Sequence, residues 1–227
     1  MIAAALAAGL ILVAAFAWWR FFYFHRNPVR HSPPGDEPVA AADGRIVYLE
    51  TVAFPAAANP YHRRIGSTFA LDGRWSVIAT YLGIFDVHVV RAPVAGQVQI
   101  HRIAPLSANV SMGRSFIYAG LRRPLPAGRR GYLDKNEFLG IDIRGDGRVL
   151  LVLMADWWID QITPFVADGD RVERGQAIGK ILMGSQVDVW VREGWIAPVL
   201  TVGAGVRAGE TLLGTRAGTP QEPSSSA

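Results

Sequence analysis

The chain has 227 residues, half of them hydrophobic and 19% charged, with a formal net charge of +4. That is enough for one large domain plus appendages, and the composition excludes a disordered chain. With no cysteine, disulfides and thiolate chemistry are excluded, and no basic run with interleaved aromatics marks a nucleic-acid partner.

Residues 1–19 carry no charged side chain. About 20 apolar residues, at about 1.5 Å each, cross a hydrocarbon core of roughly 30 Å. Trp18, Trp19, Phe21, Phe22 and Tyr23 form an interfacial aromatic belt, and Arg20, Arg26 and Arg30 lie in and just after it. Residues 1–23 are therefore expected to be a retained transmembrane anchor in the inner cell membrane. The positive flank places the body on the cytoplasmic side. A cleaved signal peptide is the competing reading, because Ala15-Phe16-Ala17 imitates a cleavage site. The missing basic leader weighs against it.

Residues 24–38 read as a connector containing Pro33-Pro34-Gly35, and the body as one domain over 39–216. A strand is expected over 39–48, entered through the Asp43-Gly44 turn. Residues 59–67 look polar and loop-like, and 75–82 look like a strand. Phe85-Asp86-Val87-His88-Val89-Val90-Arg91-Ala92-Pro93 reads as a strand around one histidine, and 94–100 alternate as a half-buried strand should. Residues 107–135, rich in Gly, Pro and Arg, are expected to be a long loop. After Asn136-Glu137, residues 138–143 alternate. Residues 149–154 are the best candidate for a fully buried strand. Trp157 and Trp158 are expected to be core or interface aromatics.

Near the end lies a weak internal repeat. Residues 169–178 and 203–212 both read Gly-x-x-Val-x-x-Gly-polar-x-aliphatic, a pattern of short-stranded lipoyl-like sandwiches. The tail, 217–227, is Pro/Ser-rich and expected to be disordered. The fold class is mainly β: a β-sandwich or barrel-like body with glycine-rich lipoyl-like hairpins and few short helices, plus one N-terminal transmembrane helix. Between two apolar runs stands Gly184-Ser185, a sharp turn with a hydroxyl at its exit. On its own this is ordinary turn chemistry.

Taken in order, the stretches resemble the phosphatidylserine decarboxylase family, in its short bacterial and archaeal form. They are Phe24-His25-Arg26-Asn27-Pro28-Val29-Arg30, Ala41-Ala42-Asp43-Gly44, residues 86–93, Asn136-Glu137, the Gly169 repeat and Met183-Gly184-Ser185-Gln186-Val187-Asp188. The resemblance covers about residues 24–190. It departs at Asn27, where the family usually has Asp, at Gln186, where Arg or Thr is usual, and over 154–161. The resemblance implies a zymogen cut between Gly184 and Ser185 into a large and a small chain. Ser185 would become a covalent pyruvoyl group that forms a Schiff base with the amine of phosphatidylserine. The products would be phosphatidylethanolamine and CO2. It implies a triad in which His88 is the base for Ser185 and Asp43 orients His88, by the logic of serine hydrolases.

Arg91, Arg26 and Arg30 are candidates for the headgroup phosphate, since Arg matches phosphate oxygens bidentately. The histidines show no ligand spacing, so no metal is expected. The expected partners are phosphatidylserine and membrane lipid, with room for a homodimer. Two alternatives stay open. One is a relative acting on another serine-headed lipid; the other is a non-catalytic lipoyl-like membrane adaptor. Lys135 and Lys180 are the only lysines, and neither stands in the usual Met-Lys setting of such an adaptor.

Overall fold

The computed structural model describes residues 1–55, 59–104, 109–156, 162–182 and 184–216. Trp157, Trp158 and the 217–227 tail lie outside the described residues. Helix α1 (Ile2–Trp18) runs on into a π-helical turn, Trp19–Tyr23. Residues Ala4–Tyr23 are long and apolar enough to cross a membrane, and none of that stretch is buried inside the protein.

The body then builds β1 (Gly44–Phe54), α2 (Pro60–Phe69), β2 (Gly73–Leu82), β3 (Val89–Arg91), β4 (Gly96–Ile103), α3 (Gly113–Gly120) and α4 (Tyr132–Lys135). It continues with β5 (Phe138–Arg144), β6 (Arg148–Met154), β7 (Ile162–Pro164), β8 (Arg171–Val172), β9 (Ala177–Ile181) and β10 (Ser185–Arg192). The described chain ends with β11 (Ile196–Pro198), β12 (Gly205–Val206) and β13 (Gly214–Arg216). One antiparallel sheet has the order β12-β1-β2-β10-β6-β5-β4-β8; smaller sheets are β3-β9-β7 and β11-β13. The mainly β expectation holds.

Successive side chains of a strand face opposite ways, so the large sheet carries two cores. Val187, Val189 and Val191 of β10 face the core shared with Val90, Ile178 and Ile181 of the three-stranded sheet. Trp190 faces the other, under Tyr61, Phe69, Met112 and Leu133 of the helical layer. Strand β6 is buried along Val149–Met154 on both faces, as its unbroken apolar run requires.

The internal repeat is structural. Gly169, Gly175, Gly203 and Gly209 all have positive φ, at 88°, 82°, 86° and 76°. Val172 and Val206 are buried on β8 and β12, the two edges of the large sheet, opposite Gly96 and Gly44. Matching hydrogen bonds run from Gly175 N to Ala92 O and from Gly209 N to Ala40 O, both 2.8 Å. The two copies therefore close the two ends of the sheet in the same way.

Three expectations are corrected. Residues 59–67 are not a loop, because Asn59 Oδ1 accepts from Tyr61 N at 2.9 Å and caps α2, with Pro60 preset in its first turn. Tyr61, Ile65 and Phe69 then fall on one buried face. The expected long loop holds α3 and α4. The histidine stretch is a strand only from Val89, so residues 85–88 form a turn with His88 just before β3.

The connector is strapped to the body. Arg174 donates to Pro33 O and Glu37 O, each at 2.7 Å. Arg91 donates to Asn27 Oδ1 at 2.6 Å and Pro28 O at 2.9 Å, and Ser32 Oγ donates to Gly209 O at 2.8 Å.

Candidate active site

Sheet register brings the sequence-predicted residues to one end of the large sheet. Arg45 of β1 pairs with Tyr81 of β2, which pairs with Gln186 of β10. One row further, Leu82 pairs with Ser185. Asp43 precedes β1, which Gly44 opens; Gly184 precedes β10, and residues 83–88 leave β2, all at that same end. His88 O accepts from Ile181 N at 3.1 Å, so the turn carrying His88 lies against the chain entering Gly184.

Ser185 is fully buried, and its Oγ donates to Leu182 O at 3.1 Å. Gly184 has φ +75°, a conformation that L side chains rarely adopt. A Cβ there would also lie 2.8 Å from Asp156 Oδ2 and 3.0 Å from Asp156 Cβ. Only glycine fits. Asp156 is itself buried and its Oδ1 accepts from Met112 N at 3.0 Å, so it is a fixed wall.

His88 is fully buried, with its ring 4.2 Å from that of Phe24. Its Nδ1 lies 2.9 Å from Asp86 O. A carbonyl only accepts, so Nδ1 carries the proton and Nε2 is left with its lone pair. Among the described residues Nε2 has no hydrogen-bond partner. Burial pushes the imidazole down to about 4, opposed by the Asp86 hydrogen bond and helped by the nearby charges of Arg26, Lys180 and His25. The ring is neutral at pH 7, with one buried lone pair free to accept a proton. Phe24 directly follows the π turn, so the end of the N-terminal apolar segment packs on this histidine.

The triad is not assembled as a hydrogen-bonded chain. Among the described residues no hydrogen bond joins Asp43, His88 and Ser185. Asp43 instead accepts from Arg30 at 2.7 Å and from Ala208 N at 2.8 Å. The tautomer-setting contact expected of Asp43 comes from the Asp86 backbone. Sequence reasoning missed this because every residue has a carbonyl.

The arginine expectations also need correction. Arg91 is buried and donates to Gly175 O, Asn27 Oδ1 and Pro28 O. It clamps the connector and is not open to a phosphate. Arg30 is ion-paired with Asp43 and Glu210. Arg26 donates to Tyr23 O at 2.9 Å and Phe85 O at 2.5 Å, and its guanidinium lies 3.8 Å from the Tyr23 ring centre. It is half-exposed and, of the three, nearest in the chain to the apolar N-terminal segment. At the same edge Arg20 and Lys180 both contact the His25 imidazole.

On the other face of β10 lies a polar network that sequence reasoning did not assign. Tyr48 and Tyr61 hydroxyls donate to Asp188 Oδ2 at 2.6 and 2.7 Å, and Gln186 Nε2 donates to Oδ1 at 2.6 Å. Tyr132 OH donates to Gln186 Oε1. Burial pushes Asp188 up to about 6, against the pull of those hydrogen bonds. The network ties β10, and so the Gly184-Ser185 bond at its start, to β1, α2 and α4.

The phosphatidylserine decarboxylase family model matches residues 18–214. A phosphatidylserine decarboxylase proenzyme of Symbiobacterium thermophilum is 31% identical over 214 residues, covering 92% of this chain and 83% of its own. The proenzyme of Gluconobacter oxydans is 33% identical over 192 residues, covering 84% and 74%. That of Erythrobacter litoralis is 31% identical over 227 aligned residues, covering 91% and 82%.

Proposed function

This chain belongs to the phosphatidylserine decarboxylase family, and we propose that it is made as a precursor that cuts itself between Gly184 and Ser185 and then converts phosphatidylserine to phosphatidylethanolamine and CO2. The observation that carries the reading is the buried, neutral His88 with an unused lone pair, set beside the glycine turn that leads to a buried serine.

Self-cleavage follows from the chain's own groups. Ser185 Oγ attacks the Gly184 carbonyl carbon; a C–O bond forms and the C–N bond breaks. The hydroxyl proton passes to His88 Nε2 and ends on the freed amine, so an amide becomes an isomeric ester. Loss of the Ser185 Cα proton then expels Gly184 as a carboxylate and leaves dehydroalanine at 185. Water adds, ammonia leaves, and position 185 is a pyruvoyl. The residues fit this group: a Cβ at position 184 would have no room against Asp156, and His88 Nε2 lacks a partner among the described residues. The chemistry such a group supplies is an electrophilic carbonyl, an electron sink for the bond that loses CO2. His88 would hold and return the proton that replaces the carboxylate.

Arg20, Arg26 and Arg30, in and after the apolar segment, support a body on the cytoplasmic side. Protease added to intact cells should then leave the body whole; digestion from outside would reverse the orientation. The test of self-cleavage is Ser185→Ala, which removes the attacking oxygen. It should run as one uncut chain on a denaturing gel, without decarboxylase activity. Normal cutting by Ser185→Ala would remove the serine from the mechanism.

A further inference from the structure

A surface helix of a soluble body turns its large apolar side chains inward. Helix α3 does so only with Tyr118, which is partly buried against the core. It buries Ser115 and Ala119, one turn apart, against the body. Phe116, Ile117 and, just past its end, Leu121 are 50%, 56% and 60% exposed. Arg114, Arg122 and Arg123 flank them, also exposed, and no ion pair engages these arginines among the described residues.

The position of α3 gives this exposure a meaning. A shallow groove is lined by Phe116, Ala119 and Gly120 on one side and by Gly83 and Asp86 on the other. The helix therefore lies beside the turn that carries Phe85, which is 64% exposed. The Phe85 ring in turn lies 6.5 Å from that of Trp19, in the aromatic belt of the membrane segment. Apolar residues of α3, the tip of the 83–88 turn and the belt of α1 thus form one continuous edge of the protein.

We propose that α3 is a second membrane-contacting element, lying in the headgroup region with Phe116, Ile117 and Leu121 toward the acyl chains. Its occupant is a bilayer surface containing anionic lipid, which the flanking arginines match in charge. The groove between α3 and the 83–88 turn then opens onto lipid at Asp86, two residues before His88, giving the headgroup a route that does not cross water. The inference rests on the membrane-spanning reading of α1.

The chain has no cysteine, so single cysteines can be introduced one at a time and spin-labelled. The sites are Ile117→Cys and Leu121→Cys, both exposed, so neither removes core packing. Leu10→Cys marks the anchor. Asp72→Cys marks the far end of β2, roughly 30 Å from Leu82 at about 3.3 Å per residue. The full chain is reconstituted in phosphatidylcholine vesicles containing phosphatidylglycerol, and collisions with oxygen and with a water-soluble nickel chelate are compared. The oxygen-to-nickel ratio should be several-fold higher at Ile117 and Leu121 than at Asp72, and high at Leu10. A ratio at either α3 site equal to that at Asp72, with Leu10 still high, overturns the proposal and leaves the anchor standing. A low ratio at Leu10 as well removes the anchor reading and this proposal together.

Discussion

His88 is the residue whose surroundings say most about its chemistry. Its depression to about 4 means that it is neutral over the physiological range, and only acid can remove its lone pair. A base at the unperturbed value near 6.5 would lose half its neutral form there. Self-cleavage should therefore stay flat as pH falls from about 8 to about 5.5, and decline only as pH nears the depressed value. The rate of chain cutting on denaturing gels checks this; a midpoint near 6.5 would show that the active base is not the buried imidazole described here. Asp43→Asn should lower the melting temperature, because it weakens the tie to Arg30, yet keep the same pH profile, since Asp86 O sets the tautomer. A shifted profile would restore Asp43 to the triad. Ser185, Gly184 and His88 were legible because their chemistry belongs to residue type and chain order. Asp156 was not: its approach to Gly184 is a tertiary contact with no spacing to announce it.

Among the elements, β10 links the proposed cut site to the rest of the fold. Its alternation puts Gln186 and Asp188 on the helical side, and Ser185 on the side of the three-stranded sheet. Tyr48→Phe removes one of two hydroxyl donors to Asp188 Oδ2 and leaves Gln186 Nε2 without its Tyr48 acceptor. Losing a hydrogen bond to a buried charge should cost about 1–3 kcal/mol. It should appear as a lower denaturation midpoint with an unchanged denaturant slope. An unchanged midpoint would mean that the network does not hold β10. Most strands were readable from alternation and from the apolar run of β6. Helix α2 was missed although Asn59-Pro60 carries a helix-start signal, because the polar surface of 62–64 hid the buried positions between. Helix α3 was missed for the reason that makes it interesting, since its fully buried residues, Ser115 and Ala119, are small and Phe116 and Ile117 face out. The connector looked like a tether because the carbonyls that Arg91 and Arg174 hold carry no sequence signature.

For the whole molecule, register and anchor act together. The end of the large sheet that carries Ser185 is also the end where Phe24 packs on His88 and Phe85 meets Trp19. If the apolar segment spans a bilayer as proposed, a membrane lipid would meet the reactive residues where the chain leaves it. The two repeat copies supply the two edge strands of the same sheet, β12 and β8. Ser185 is fully buried, so on the proposed mechanism cleavage precedes any contact with substrate. The most direct test is the intact mass of the purified wild-type protein after full maturation. The account predicts a large chain ending at Gly184 and a small chain beginning at position 185, the latter lighter by one ammonia than a chain that starts with serine. A single uncut mass in a preparation that still decarboxylates phosphatidylserine would contradict it.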